Sequence, residues 1–186
     1  ERSTRGRNVT VIFGDGAGAA VLSRSEEDGR GILSSHLHSE GKHAKELALE
    51  GPSTSRWVPE IIAENNPDDE SYYPYMNGQF VFKHAVVRFS EAIIEGLEAN
   101  GLQKEDINML IPHQANLRIA QFIQRKFQLN DDQVYNNIMN YGNTTAASVI
   151  IALTEAWEKG KINEGDLVVL AAFGSGFTWG SVVVRW

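Results

Sequence analysis

Apolar and polar positions along the chain follow two periods, one of about two residues and one of about three and a half. Residues 9–13 and 19–22 are β-rich runs joined by Gly14-Asp15-Gly16-Ala17-Gly18, which predicts a pair of strands. Residues 31–39 alternate well enough for a third strand, with Ile32, Leu33 and Leu37 as its apolar members. Residues 51–77 are the least regular and hold four of the five prolines and the acidic turn Asn66-Pro67-Asp68-Asp69-Glu70. They predict a surface excursion with one short helix over 58–64.

The period then becomes helical. Phe82, Val86, Phe89, Ile93 and Leu97 form a stripe along a helix over 79–99, and Asn100-Gly101 ends it as a C-cap pair. A strand over 107–111 stops at Pro112, and a helix over 115–127 follows. Residues 144–158 read as a helix with almost no polar face, which predicts a buried central helix. Strong strands over 167–173 and 181–186 flank the glycine-rich loop at 174–180. Strands alternating with helices, and an antiparallel pair at the end, predict an α/β layer fold around a mixed sheet.

At 186 residues the chain suits one domain, with the 51–77 excursion as an embellishment. Seventeen basic against twenty-four acidic side chains leave a net charge of −7, which argues against general nucleic-acid binding. No apolar run reaches the roughly 20 residues of a membrane-spanning helix. The absence of cysteine removes disulfides, thiolate metal sites and any cysteine nucleophile from this chain. The opening residues, Glu1 to Arg7, lack an initiator methionine and a signal-type apolar segment, so 1–8 read as a former linker and the chain as one entered partway through.

Candidate chemistry sits where strands meet helices. Pro112-His113-Gln114-Ala115-Asn116 follows a strand, and Tyr141-Gly142-Asn143-Thr144 precedes the apolar helix. The third candidate is the loop Phe173-Gly174-Ser175-Gly176-Phe177-Thr178-Trp179-Gly180. Taken without their neighbours, His113 reads as a helix-start or core histidine, and Asn143 as the N-cap of the helix that follows. Arg118 and Arg125, two helical turns apart, would then be a solvated face. Gly14 to Gly18 lacks the following helix that would cradle a pyrophosphate, so its glycines better serve a tight connection or close backbone packing. His36 and His38 would share a strand face near Glu40 and His43, but no fourth ligand completes a metal site. Gly174-Ser175-Gly176 has the wrong spacing for a serine nucleophile elbow.

Together, Phe13-Gly14-Asp15-Gly16-Ala17-Gly18-Ala19 and the three segments that follow it along the chain resemble the C-terminal half of β-ketoacyl-acyl carrier protein synthase III. The resemblance covers nearly the whole chain from residue 10 to 186. It implies a thiolase-type fold of two similar halves, a missing N-terminal half, a cytoplasmic homodimer, and acyl-CoA and malonyl-acyl carrier protein as substrates, with no separate cofactor and no metal. It implies that a cysteine in the other half takes the acyl group, while His113 and Asn143 act on the malonyl thioester. Loss of CO2 leaves an enolate, whose charge two uncharged N–H donors can hold without ionising themselves. By the same resemblance Ser175, where the family commonly has glycine, offers its backbone amide to an oxyanion beside Gly174, and Phe173 walls the nucleophile. Gly78, Ala115 and Asn116 match the pantetheine passage, and Lys83, Arg118, Arg125 and Lys126 match the docking face for the acidic carrier. Two other readings stay open: a related thiolase-fold acyltransferase of secondary metabolism, and a non-catalytic fragment or partner subunit.

Overall fold

The protein is described from a computed structural model, which covers Val9, residues 11–51, Ser71 and residues 73–186. Four strands form one sheet: β1 (Gly31–Ser39), β4 (Met109–Pro112), β5 (Leu167–Gly174) and β6 (Thr178–Arg185). Their order across the sheet is β1-β6-β5-β4. The β1/β6 and β6/β5 pairs are antiparallel and β5/β4 is parallel, so the sheet is mixed as the alternation of elements implies. Two very short strands, β2 (Leu47–Ala48) and β3 (Tyr75–Met76), form a separate antiparallel pair.

Helices cover both faces of the sheet. Helix α1 (Gly78–Ala99) and α2 (Leu117–Phe127) lie on one side, and α4 (Ala147–Glu158) on the other; a single turn, α3 (Ile138–Tyr141), precedes α4. The period-two geometry of a strand divides the apolar residues between the two layers. Leu110, Leu167, Val169, Ala171 and Phe173 join Phe89, Ile93 and Ile123 in the larger core. Met109, Ile111 and Val168 turn the other way, onto Ala152 and Ala156 of α4. Strands buried on both faces have no polar alternation, which is why 107–111 and 167–173 read as continuous apolar runs.

Helix α1 follows its stripe closely. Asn77 caps its start by accepting the Phe80 N–H, and Asn100 ends it with Gly101 at φ +66°. Helix α2 begins at Leu117, two residues later than the pattern predicts, because the Asn116 carboxamide accepts the Arg118 N–H and acts as N-cap.

Four expectations need correction. Residues 9–13 and 19–22 are not paired strands: Phe13 makes one isolated parallel bridge to Asn143, and 14–22 carry no ladder among the described residues. The segment instead packs its glycines against α4 and the loop before it. A Cβ at Gly16 would meet Thr144 Cβ at 2.9 Å, and one at Gly18 would meet Ile150 Cβ at 2.8 Å. Helix α4 starts at Ala147, not 144, because Thr144 to Ala146 form a turn ahead of it. It is buried along the stripe Ser148, Ala152 and Ala156, where it meets the sheet, while Trp157 is exposed. In β1, Ile32 and Leu37 are exposed, since only one face of that edge strand has a helix against it. The predicted helix over 58–64 and the former linker 1–8 lie outside the described residues. Among the described residues no helix is long and apolar enough to cross a membrane.

Gly14 is the tightest of these approaches. A Cβ there would lie 2.0 Å from the Tyr141 carbonyl oxygen, at the point where Gly14 N–H donates to Asn143 O (3.0 Å) and Asn143 N–H donates to Ile12 O (2.9 Å). Gly14→Ala is therefore expected to destabilise the protein by about 1–3 kcal/mol, as overpacking usually does. Chemical denaturation checks this; an unchanged midpoint would mean that the clamp on Asn143 is slack.

Candidate active site

An open groove runs from the C-terminal end of β4 across the β5–β6 turn to the start of α1. His113, Asn143, Phe173, Gly174 and Ser175 line it. So do Gly78, Ala115, Asn116, Lys83 and Arg118, so ten of the twelve residues singled out in the sequence share one cavity. Arg125 and Lys126 do not. They occupy the last turn of α2, where a cation also complements the helix dipole.

His113 follows β4 directly, its backbone N–H donating to Ala171 O at 2.8 Å. Its imidazole is largely removed from water, and burial lowers its pKa from 6.5 to about 4. The ring therefore enters neutral solution uncharged. Its Nδ1 lies 2.6 Å from Ser148 Oγ, in the first turn of α4, and its Nε2 has no partner among the described residues.

Asn143 is held by its backbone in the bridge to Phe13 and by its side chain in a local turn. Its Oδ1 accepts the Thr145 N–H at 2.9 Å, which commits the carboxamide oxygen and leaves the NH2 group for the groove. The side chain thus does not cap α4 itself, as the sequence suggests, because the turn at Thr144 to Ala146 intervenes. Thr145 sits at φ +52°, a conformation that β-branched residues rarely adopt, and strain of this kind concentrates where a loop must aim a functional group.

Gln114 ties the two halves of the site together. Its Nε2 donates to Pro112 O at 2.7 Å and Tyr135 O at 3.4 Å, while its Oε1 accepts the N–H groups of Asn137 (3.0 Å) and Ile138 (3.1 Å). This buried side chain fixes the strand end that carries His113 to the turn α3 that leads into Asn143. Behind that turn Glu155 accepts from Tyr141, Tyr135 (3.0 Å) and Asn137 (3.1 Å), and Lys159 reaches it as well. These contacts, the Tyr141 hydroxyl foremost, hold the Glu155 carboxyl down to about 2.

Phe173 is buried and packs at 4.9 Å between ring centroids on Phe177, which in turn meets Phe80, His84 and His43. The wall of the groove is therefore aromatic and rigid. Ser175 is exposed at the turn, and Thr178 Oγ1 donates to its carbonyl at 3.0 Å. Sequence reasoning missed Gln114 and Ser148 as parts of the site. A buried polar residue on an otherwise apolar helix start was the available signal for Ser148.

The histidines considered for a metal separate in space. His36 and His38 share a strand face, as expected, and both address Glu95, at 3.4 and 2.6 Å. His43 lies apart, among Phe80, His84 and Phe177, and Glu40 pairs with Arg88 and Lys42.

Comparison with known proteins shows the family to which the chain is similar. The family described as 3-Oxoacyl-[acyl-carrier-protein (ACP)] synthase III matches residues 3–41, and that described as 3-Oxoacyl-[acyl-carrier-protein (ACP)] synthase III C terminal matches residues 97–186. Beta-ketoacyl-[acyl-carrier-protein] synthase III of Rhodospirillum centenum is 46% identical over 184 residues, 97% of this chain and 53% of that protein. The protein of the same name from Caldanaerobacter subterraneus is 47% identical over 180 residues, again 97% and 53%. The crystal structure of 3-oxoacyl-[acyl-carrier-protein] synthase III from Aquifex aeolicus superposes with a TM-score of 0.83 at 38% identity, covering 97% of this chain and 52% of that one. The chain spans about half the length of the curated relatives it matches.

The state of His113 has a measurable consequence. Its folded pKa lies below the unfolded value, so the unfolded chain takes up the proton first as pH falls. Stability contributed by burying the neutral ring is complete above about pH 6.5 and is lost progressively toward pH 4. NMR titration of the His113 ring should show a midpoint near 4; a midpoint at 6 or above would contradict a desolvated imidazole.

Proposed function

The chain belongs to the 3-oxoacyl-[acyl-carrier-protein] synthase III family, and from that premise we propose that it carries the decarboxylating side of the active site of a condensing acyltransferase that starts fatty acid synthesis. The observation that carries the reading is that an uncharged imidazole and a carboxamide line one groove. Among the described residues His113 Nε2 and the Asn143 NH2 group have no partner, while the other heteroatom of each side chain is already engaged.

The proposed chemistry has two stages. An acyl group passes from CoA to a cysteine, with CoA thiol leaving. This chain has no cysteine, so the nucleophile is assigned to the part of the synthase fold that it does not span. Malonyl-acyl carrier protein then loses CO2, and the bond electrons collect on the thioester as an enolate. His113 and Asn143 donate hydrogen bonds to the enolate oxygen as its charge develops, in a cavity where desolvation makes such bonds strong. The enolate carbon attacks the acyl-cysteine carbonyl, the Ser175 backbone N–H bonds to the resulting oxyanion, and collapse expels the cysteine thiolate and leaves a β-ketoacyl carrier protein. A backbone donor is unaffected by serine replacing the family's usual glycine. Phe173 provides an apolar wall that favours release of CO2 and excludes water.

Lys83 and Arg118 line the mouth of the same groove, and neither they nor Arg125 and Lys126 have a carboxylate partner among the described residues. On a chain of net charge −7 they form a local basic rim suited to an acidic carrier or to CoA phosphates, with Gly78, Ala115 and Asn116 along the way in for the pantetheine arm.

Decarboxylation of malonyl-acyl carrier protein by the full-length protein tests the reading. His113→Ala and Asn143→Ala are each expected to lower kcat by about 10²–10³, the usual cost of removing one such donor, while acyl transfer to the cysteine persists. Retained decarboxylation in both variants would remove the proposal. The 186-residue chain by itself is expected to show no condensation, and turnover by it would place the nucleophile elsewhere. Arg118→Glu should raise KM for the carrier substrate, with an effect that shrinks as salt is added; an unchanged KM would remove Arg118 from docking.

A further inference from the structure

We propose that Ser148 is a positioning residue that selects the tautomer of His113, by donating its hydroxyl proton to Nδ1 so that the ring proton sits on Nε2 and faces the groove. The inference deepens the reading of His113 given above and rests on it for its catalytic meaning. The hydrogen bond itself needs no substrate.

Ser148 Oγ has two neighbours. It accepts the backbone N–H of Gln114 at 3.2 Å and lies 2.6 Å from His113 Nδ1. The residue is only 2% exposed, so its hydroxyl proton has no access to bulk water. Serines in helices often return that proton to the carbonyl four residues earlier, as Ser90 does to Val86 O at 2.8 Å. Ser148 makes no such bond, and no other acceptor is in reach among the described residues.

One arrangement satisfies all three groups. The Gln114 N–H can only donate, so it occupies a lone pair of Oγ. The hydroxyl must then donate to remain satisfied, and Nδ1 is the acceptor at hand. A neutral imidazole that accepts at Nδ1 carries its proton on Nε2. The reverse tautomer would bring two donors to Oγ and strand a buried hydroxyl proton. The ring orientation is fixed as well, because Ser148 stands on α4 and His113 on the end of β4, the elements joined through the smaller core. Gln114 thus contributes twice, with its side chain to the framework and its backbone N–H to the direction of the serine hydroxyl.

Long-range proton–nitrogen NMR of the full-length protein, labelled with 15N and held near neutral pH, reads the tautomer directly. The expected spectrum has a protonated Nε2 and an unprotonated Nδ1 in His113. In Ser148→Ala the two tautomers should mix, with kcat for malonyl-acyl carrier protein decarboxylation falling about 10- to 100-fold, the range over which partners that orient a histidine usually act. KM should change by less than about twofold, since the lost interaction belongs to the transition state. Ser148→Thr, which keeps the hydroxyl, should restore the Nε2 proton and most of the rate. A proton on Nδ1 in the unsubstituted protein, or an unaltered tautomer in Ser148→Ala, overturns the proposal. If Ser148→Ala mixes the tautomers and decarboxylation is undiminished, the hydrogen-bond assignment stands and the catalytic reading of His113 falls. Should Ser148→Ala not fold, the spectrum of the unsubstituted protein still decides the tautomer.

Discussion

At the end of β4 the imidazole of His113 loses most of its water, and the cost of charging it there sets the terms for every group around it. Its hydrogen-bond partner is a hydroxyl and not a carboxylate, so among the described residues no charged partner of the ring stabilises an imidazolium. A carboxylate at that position would raise the pKa and convert the group into a cation or a general acid. In the proposed function the neutral ring and the carboxamide of Asn143 instead act as two dipolar donors that hold a charge appearing only during reaction. The strongly depressed carboxyl of Glu155 is engaged by Tyr141, Asn137, Tyr135 and Lys159.

Donors of this kind are useful only if they do not move, and the fold restrains them from several sides. Asn143 is clamped by the backbone of Ile12 and Gly14, by its own bond to Thr145, and through Tyr141 by Glu155. His113 is tied to β5 through Ala171 and to α4 through Ser148, with Gln114 bonded to the turn between them. Almost every buried polar group here has a partner, which makes the loop network rigid; a half-satisfied network would be a liability. The glycines at 14, 16 and 18 belong to the same design, because any side chain there would push the clamp off the loop.

Around this dry interior the rim has the opposite character. Lys83 and Arg118 stand at the mouth of the groove with no carboxylate partner among the described residues, on a protein that is acidic as a whole. In the proposed function a charged rim over an uncharged centre separates two tasks: the rim would act on encounter and be screened by salt, while the interior would act on chemistry and be screened far less.

Much of this was legible in the sequence. The stripe from Phe82 to Leu97 specified α1, the apolar runs at 107–111 and 167–173 specified strands covered on both faces, and four short motifs pointed to His113, Asn143 and the β5–β6 turn. These are local signals, written as periodicity and residue type over a few positions. The packing of Gly14, Gly16 and Gly18 against α4 and the loop before it was not legible, and paired strands were expected there instead, because β-rich composition does not say whether a backbone meets a strand or the side of a helix. Nor were the contacts between Ser148 and His113, 35 residues apart, or between Gln114 and Asn137, 23 apart. Residue type fixes how many protons a side chain can give or take. Which partner receives them depends on which distant segment the packing brings within three ångströms, and only the tertiary structure decides that.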